Sequence, residues 1–158
     1  MDSSGYYDYN ICKECRGRYC CQHRPCAYIP QDIKFLQNGD IVFEKKLELL
    51  KKEITKGRIS IDKIPSSRGM LYLRARAQNS PIVQWWYTMD LDKDYPCVHW
   101  TWEAGCALDA ETRPAGGRMV KPSADKQCEA MLTWSDLQIE WYPFQKMLKL
   151  LVDHFANQ

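Results

Sequence analysis

The chain has 158 residues, 45% hydrophobic and 27% charged, the proportions of an ordinary globular protein of one domain. Its 22 basic and 20 acidic residues are spread along the sequence and leave a net charge of +2, which argues against a nucleic-acid tail or a polybasic membrane patch. No apolar run approaches a membrane span, and the opening M-D-S-S-G-Y-Y-D-Y-N has neither a basic n-region nor an apolar h-region, so the cytosol is the expected compartment.

Residues 1–10 carry Tyr6, Tyr7 and Tyr9 among small polar residues and read as a loose tail or an arm laid over the domain, with no role assigned. The next stretch, Cys12 to Cys26, reads C-K-E-C-R-G-R-Y-C-C-Q-H-R-P-C and holds five of the eight cysteines. In a reducing compartment clustered thiols point to metal rather than to disulfides, although the even count would suit a disulfide framework in a secreted protein. Gly17, Pro25 and Pro30 make this segment better suited to looping around an ion than to regular structure.

Gln31 to Gln37 is expected to form a turn or two of helix, stopped by Asn38-Gly39. Asp40 offers an N-cap for a longer helix whose apolar residues Phe43, Leu47, Leu50 and Ile54 share one face, with lysines off that stripe and a stop at Lys56-Gly57. The period then changes to two, predicting strands at 59–61, 70–77 and 82–89. In the second, Arg74 and Arg76 project from one face, which reads first as the exposed polar side of an antiparallel sheet and second as a seat for an anion. Asp90, Asp92 and Asp94 invite a calcium reading that fails, because Tyr95 and Thr101 stand where an EF-hand loop needs glycine and glutamate.

The segment C-V-H-W-T-W-E-A-G-C-A-L predicts a hairpin turning at Glu103-Ala104-Gly105, which brings Cys97 towards Cys106. Strand parity sets Cys97 and His99 on one side and Val98, Trp100 and Trp102 on the other, with the tryptophans in the core. A loop follows over 112–122, then a short helix capped by Ser123 and carrying Cys128. Ser135 and Gln138 have the form of a capping box, Pro143 breaks the helix they start, and Phe144, Met147, Leu148, Leu151 and Phe155 form the stripe of a final helix. The expected architecture is therefore α+β: a small single domain over 1–158 with short antiparallel hairpins, peripheral helices, and a cysteine-rich site joining the N-terminal loop to the later hairpin.

Three blocks, C-x-x-C-x-x-x-x-C-C, then P-C-A-Y-I-P-Q-D-I, then C-V-H-W-T-W-E-A-G-C-A-L-D-A-E-T-R-P, resemble the YkgJ-like family of cysteine-cluster proteins, described as zinc- or iron-chelating. The resemblance spans most of residues 12 to 118. It implies Cys12, Cys15, Cys20, Cys21, Cys97 and Cys106 as ligands. The family pattern ends R-P-x-x-C-R, whereas here Arg113-Pro114-Ala115-Gly116-Gly117-Arg118 has no cysteine. Cys128 is the first choice to supply the missing donor, with Cys26, His23 and His99 as alternatives.

Thiolates suit zinc, iron or an iron–sulfur cluster; zinc is favoured because the C-x-x-C-x-x-C run of common ferredoxins is absent. The first functional reading is a binding protein whose metal is structural or stored. The second is a metal- or iron–sulfur-dependent enzyme acting on a protein or small molecule, for which Glu103 and His99 are candidate acid and base and Arg74, Arg76 and Arg113 candidate anchors for an anion. The family includes a flagellin lysine methylase, so the resemblance allows such chemistry. A zinc module binding nucleic acid ranks third on the near-neutral charge; a protein partner is compatible with the sequence, which does not identify one.

Overall fold

A computed structural model of the chain describes residues 25–90, 93–101, 103, 105–109, 111–121, 123 and 128–156. Cys12, Cys15, Cys20, Cys21 and His23, with the proposed arm 1–10, lie outside the described residues. What is described is mixed helix and strand, with short antiparallel hairpins.

Two single turns of 3-10 helix, Pro30–Asp32 and Lys34–Gln37, lead into α1, Phe43–Thr55. Its Leu50 and Ile54 are fully buried and Phe43 and Leu47 pack against the same core. The N-cap is Val42 rather than Asp40, with no side-chain cap. Asp40 is instead held in the preceding turn, its amide donating to Asn38 Oδ1. Gly57 ends the helix with φ 86°, a left-handed conformation that glycine adopts without a Cβ clash.

Strands β1, Ile59–Lys63, and β2, Leu71–Ala75, pair antiparallel with Ile61 opposite Leu73. Ile59, Ile61, Leu71 and Leu73 share one face and join the main core with α3, Trp134–Trp141, and α4, Gln145–Phe155. The opposite face is covered as well, which corrects the expectation of an exposed polar side. Arg74 is 1% exposed and pairs with fully buried Asp62 at 3.0 Å, while Arg76 donates to Ser80 O.

The covering segment is the predicted third strand. It makes only an isolated parallel bridge, Val83 to Ile61, before turning into a 3-10 helix at Trp86–Thr88. The reason is Asp62: its Oδ1 accepts the amide of Trp86, and the Trp86 ring stacks against the Arg74 guanidinium at 5.0 Å. A buried ion pair needs its remaining polar capacity filled, and the turn at Trp86 helps to fill it.

Towards the C-terminus, the expected loop at 112–122 contains a helical turn, α2, Ala115–Arg118, and strand β5, Val120–Lys121. Strand β5 pairs with β6, Glu129–Ala130, so Cys128 leads into a strand and is not itself helical; 124–127 lie outside the described residues. The capping box sits two residues earlier than expected, on Thr133 and Asp136, with reciprocal bonds of 3.1 and 2.9 Å. Pro143 does interrupt the helix, in a 3-10 turn at Tyr142–Phe144, and the final stripe is buried as predicted at Met147, Leu148, Leu151 and Phe155. Among the described residues no helix is long and apolar enough to cross a membrane.

Candidate metal centre

The line of β2, continued to Ala77, positions two of the cysteines. On one edge, Ala75 donates its amide to Cys26 O at 2.8 Å and Tyr28 donates to Leu73 O, so the chain leaving the N-terminal cluster runs beside β2. Beyond the strand, Ala77 forms an antiparallel bridge with Cys97, flanked by bonds from Gln78 N to Pro96 O and from Val98 N to Arg76 O.

The third cysteine comes from the predicted hairpin. Strands β3, Trp100–Thr101, and β4, Gly105–Cys106, pair with Trp100 opposite Cys106, and Ala107 donates to His99 O. Cys97 and His99 both line one pocket, but not by strand parity, because the amide of Trp100 donates to Cys97 O and 97–100 is a turn. The separation from the indole side is incomplete as well, because Trp100 packs with Cys97 and Ala75 in a small second core. Trp102 lies outside the described residues.

Helix α2 closes the arrangement. Asp32 Oδ2 accepts the amides of Ile29 and Ala115, and its Oδ1 pairs with Arg118 at 2.8 Å. Gly116 donates to Ala27 O, and a Cβ at residue 116 would stand 2.6 Å from Ala27 N, so only glycine permits this approach. A Cβ at residue 117 would meet the Cys26 sulfur at 3.0 Å.

As a result Cys26, Cys97, Cys106 and His99 line one pocket of about 10 Å³, with Arg113 and Gly117 on its wall. That is roughly the volume accessible to a single water-sized sphere. Among the described residues no disulfide links these cysteines. Burial, with the neighbouring Cys106 thiol in support, pushes the Cys97 thiol up to about 11, against the opposing effects of the His99 backbone amide and the Arg74 guanidinium. His99 is pushed below its ordinary value, first by burial and then by Arg58, which keeps the imidazole neutral and its nitrogen lone pair available.

The donors surround this pocket without converging on a point: among the described residues no group of three or more His, Cys, Asp or Glu side chains is placed to hold an ion. Their chemistry nonetheless suits a soft-donor metal, three thiols and a neutral imidazole being zinc or iron ligands.

Of the sequence-predicted ligands, Cys97 and Cys106 are brought together and Cys128 stands apart from this pocket, its sulfur accepting the amide of Ser123. Cys26, a secondary candidate in the sequence, is at the pocket. The candidate acid–base set is not assembled, since Glu103 is exposed and lines neither this pocket nor the neighbouring cleft of Tyr28, Arg58, His99 and Thr112, and Arg74 and Arg76 are engaged elsewhere.

Sequence reasoning missed the Asp62–Arg74 pair, for which one signal existed: an aspartate inside the apolar strand I-S-I-D-K. No family model matches the chain, and neither a curated protein nor a solved structure matches it.

Proposed function

We propose that this is a metal-binding protein that holds zinc through thiolates, in a centre drawn from the N-terminal cluster together with Cys97, Cys106 and Cys26. The observation that carries the reading is that Cys26, the last cysteine of the cluster, shares one pocket with Cys97, Cys106 and His99. Cys12, Cys15, Cys20 and Cys21 precede it closely enough in sequence to supply the remaining sulfurs. In the R-P-x-x-C-R ending of the resembled family, the absent cysteine falls on Gly117, and the Cys26 sulfur borders the space its side chain would enter. Cys26 therefore takes the place first given to Cys128.

The metal is structural in this reading. Poorly organised ligands gain their order from the ion, and apparent binding energies of roughly 10 to 16 kcal/mol in small zinc peptides are comparable to the stability of a whole domain. A reducing compartment such as the cytosol belongs to the same reading, because the ligands must stay unoxidised. The second reading, a metal-dependent enzyme, is favoured by one observation: a polar cleft shares His99 with the thiol pocket.

The test is elemental analysis with an absorption spectrum of protein purified without oxygen. Zinc bound stoichiometrically and no visible absorption is the expected result. Iron with labile sulfide would overturn the choice of zinc, and a metal-free protein with oxidised cysteines would overturn the function.

A further inference from the structure

We propose that the cleft formed by Tyr28, Arg58, His99 and Thr112 binds a small organic carboxylate, whether or not a metal occupies the adjoining thiol pocket. The cleft encloses about 210 Å³, with Ile59 and Leu108 supplying its apolar lining. Sites for drug-sized ligands begin at roughly 300 Å³, so the ligand is of small-metabolite size.

The charges on the cleft wall select an anion. Glu53 and Lys56 also line it, but they pair with each other at 2.8 Å and largely neutralise one another. Arg58 is different: among the described residues its guanidinium makes no hydrogen bond or ion pair. Its backbone is fixed at the head of β1, where its carbonyl accepts the Arg76 amide at 2.9 Å, directly after the left-handed turn at Gly57. Arg58 thus joins the cleft wall from an anchored backbone, and a guanidinium is matched geometrically by the two oxygens of a carboxylate.

Two further polar groups face the same space. Tyr28 lines the cleft, and its hydroxyl has no hydrogen-bond partner among the described residues. The imidazole of His99 borders the cleft from the hairpin side. With Glu53 and Lys56 neutralising one another, Arg58 leaves the cleft wall a net charge of about +1, which balances a singly charged head group better than a doubly charged phosphate. The apolar patch of Ile59 and Leu108 accommodates a short carbon skeleton.

The experiment is a titration of the intact isotope-labelled protein, as purified, with pyruvate, using acetate and inorganic phosphate as comparators and following the resonances of Tyr28, His99 and their neighbours. Saturable shifts with pyruvate, centred on these residues, are expected. Arg58→Gln should weaken binding about tenfold or more, the scale of one lost charge-assisted hydrogen bond. Tyr28→Phe should weaken it several-fold, and Arg68→Gln, in a different cleft, should leave it unchanged. No saturable shift with either carboxylate, an unchanged affinity in a folded Arg58→Gln protein, or tighter binding of phosphate than of both carboxylates would overturn the proposal. Metal content measured on the same sample separates the two readings: binding without metal leaves this site standing alone, and metal without binding leaves only the thiol centre.

Discussion

The sulfur of Cys26 lies 3.0 Å from the point where a β-carbon on Gly117 would stand, and 3.6 Å separates that point from Cys26 Cβ. One residue before it, a β-carbon on Gly116 would meet backbone rather than a side chain, at 2.6 Å from Ala27 N and 3.1 Å from Ala27 O. A side chain can rotate away and a hydrogen-bonded backbone cannot. Gly116→Ala is therefore expected to destabilise the fold by about 1–3 kcal/mol, the range for overpacking a tight contact, and Gly117→Ala by less. Urea unfolding of the two variants checks the order. Gly117→Ala should instead lower metal affinity by displacing the Cys26 sulfur.

Asp62 and Arg74 form a pair that is almost wholly removed from solvent, at 0% and 1% exposure. Asp62 also accepts the amides of Lys63 and Trp86, so its loss strands several donors at once. Asp62→Ala is expected to cost about 3–5 kcal/mol, the penalty for leaving one buried charge without its partner. Asp62→Asn combined with Arg74→Met should recover part of that loss. Denaturant midpoints at constant slope would measure both.

The Cys97 thiol, pushed up to about 11 from an ordinary 9.0 chiefly by burial, holds its proton more tightly in the folded chain than in the unfolded one. The stability that comes from keeping it neutral is complete below the unfolded value and is lost as pH climbs through the folded one. Reduced, metal-free protein should accordingly lose stability between pH 9 and 11, by an amount on the order of 2–3 kcal/mol. Cys97→Ala should flatten that limb. His99 shifts the other way, so stability should fall as pH drops below the ordinary imidazole range, and His99→Gln should remove that dependence.

Thr133 caps α3 by accepting the Asp136 amide, and Asp136 returns the bond to the Thr133 amide. Thr133→Ala is expected to cost about 1 kcal/mol, and Ser135→Ala much less, because Ser135 lies inside the helix. The comparison distinguishes the two candidate boxes by thermal unfolding.

That pair also marks how far local patterns reach in this chain. The stripes of α1 and α4, the stop at Gly57 and the break at Pro143 are set by residues within a turn or two of each other, and these were legible. The sequence pattern puts the capping box at Ser135 and Gln138, but it forms at Thr133 and Asp136, because the helix register is set by burying Leu137 and Trp141. The fate of Arg74 was illegible for a similar reason. Period two reveals that it shares a face with Tyr72 and Arg76, but what covers that face, Trp86 and its turn, comes from a separate segment. At the candidate site, the hairpin explains only that Cys106 lies opposite Trp100; Cys97 joins it through the turn at Cys97–Trp100 and its bridge to Ala77, which the local pattern does not reveal. The approach of Cys26 was not legible either, since it depends on pairing with Ala75 along β2.

The thiolate metal centre proposed for this chain includes Cys26 and not Cys128. Cobalt(II) titration of the reduced wild-type protein and of Cys26→Ser and Cys128→Ser tests it directly, because sulfur-to-cobalt charge-transfer absorption grows with the number of thiolate ligands. Strong absorption saturating at one metal per chain is expected, diminished in Cys26→Ser and retained in Cys128→Ser. No charge-transfer absorption in the wild type, or a loss confined to Cys128→Ser, would contradict it.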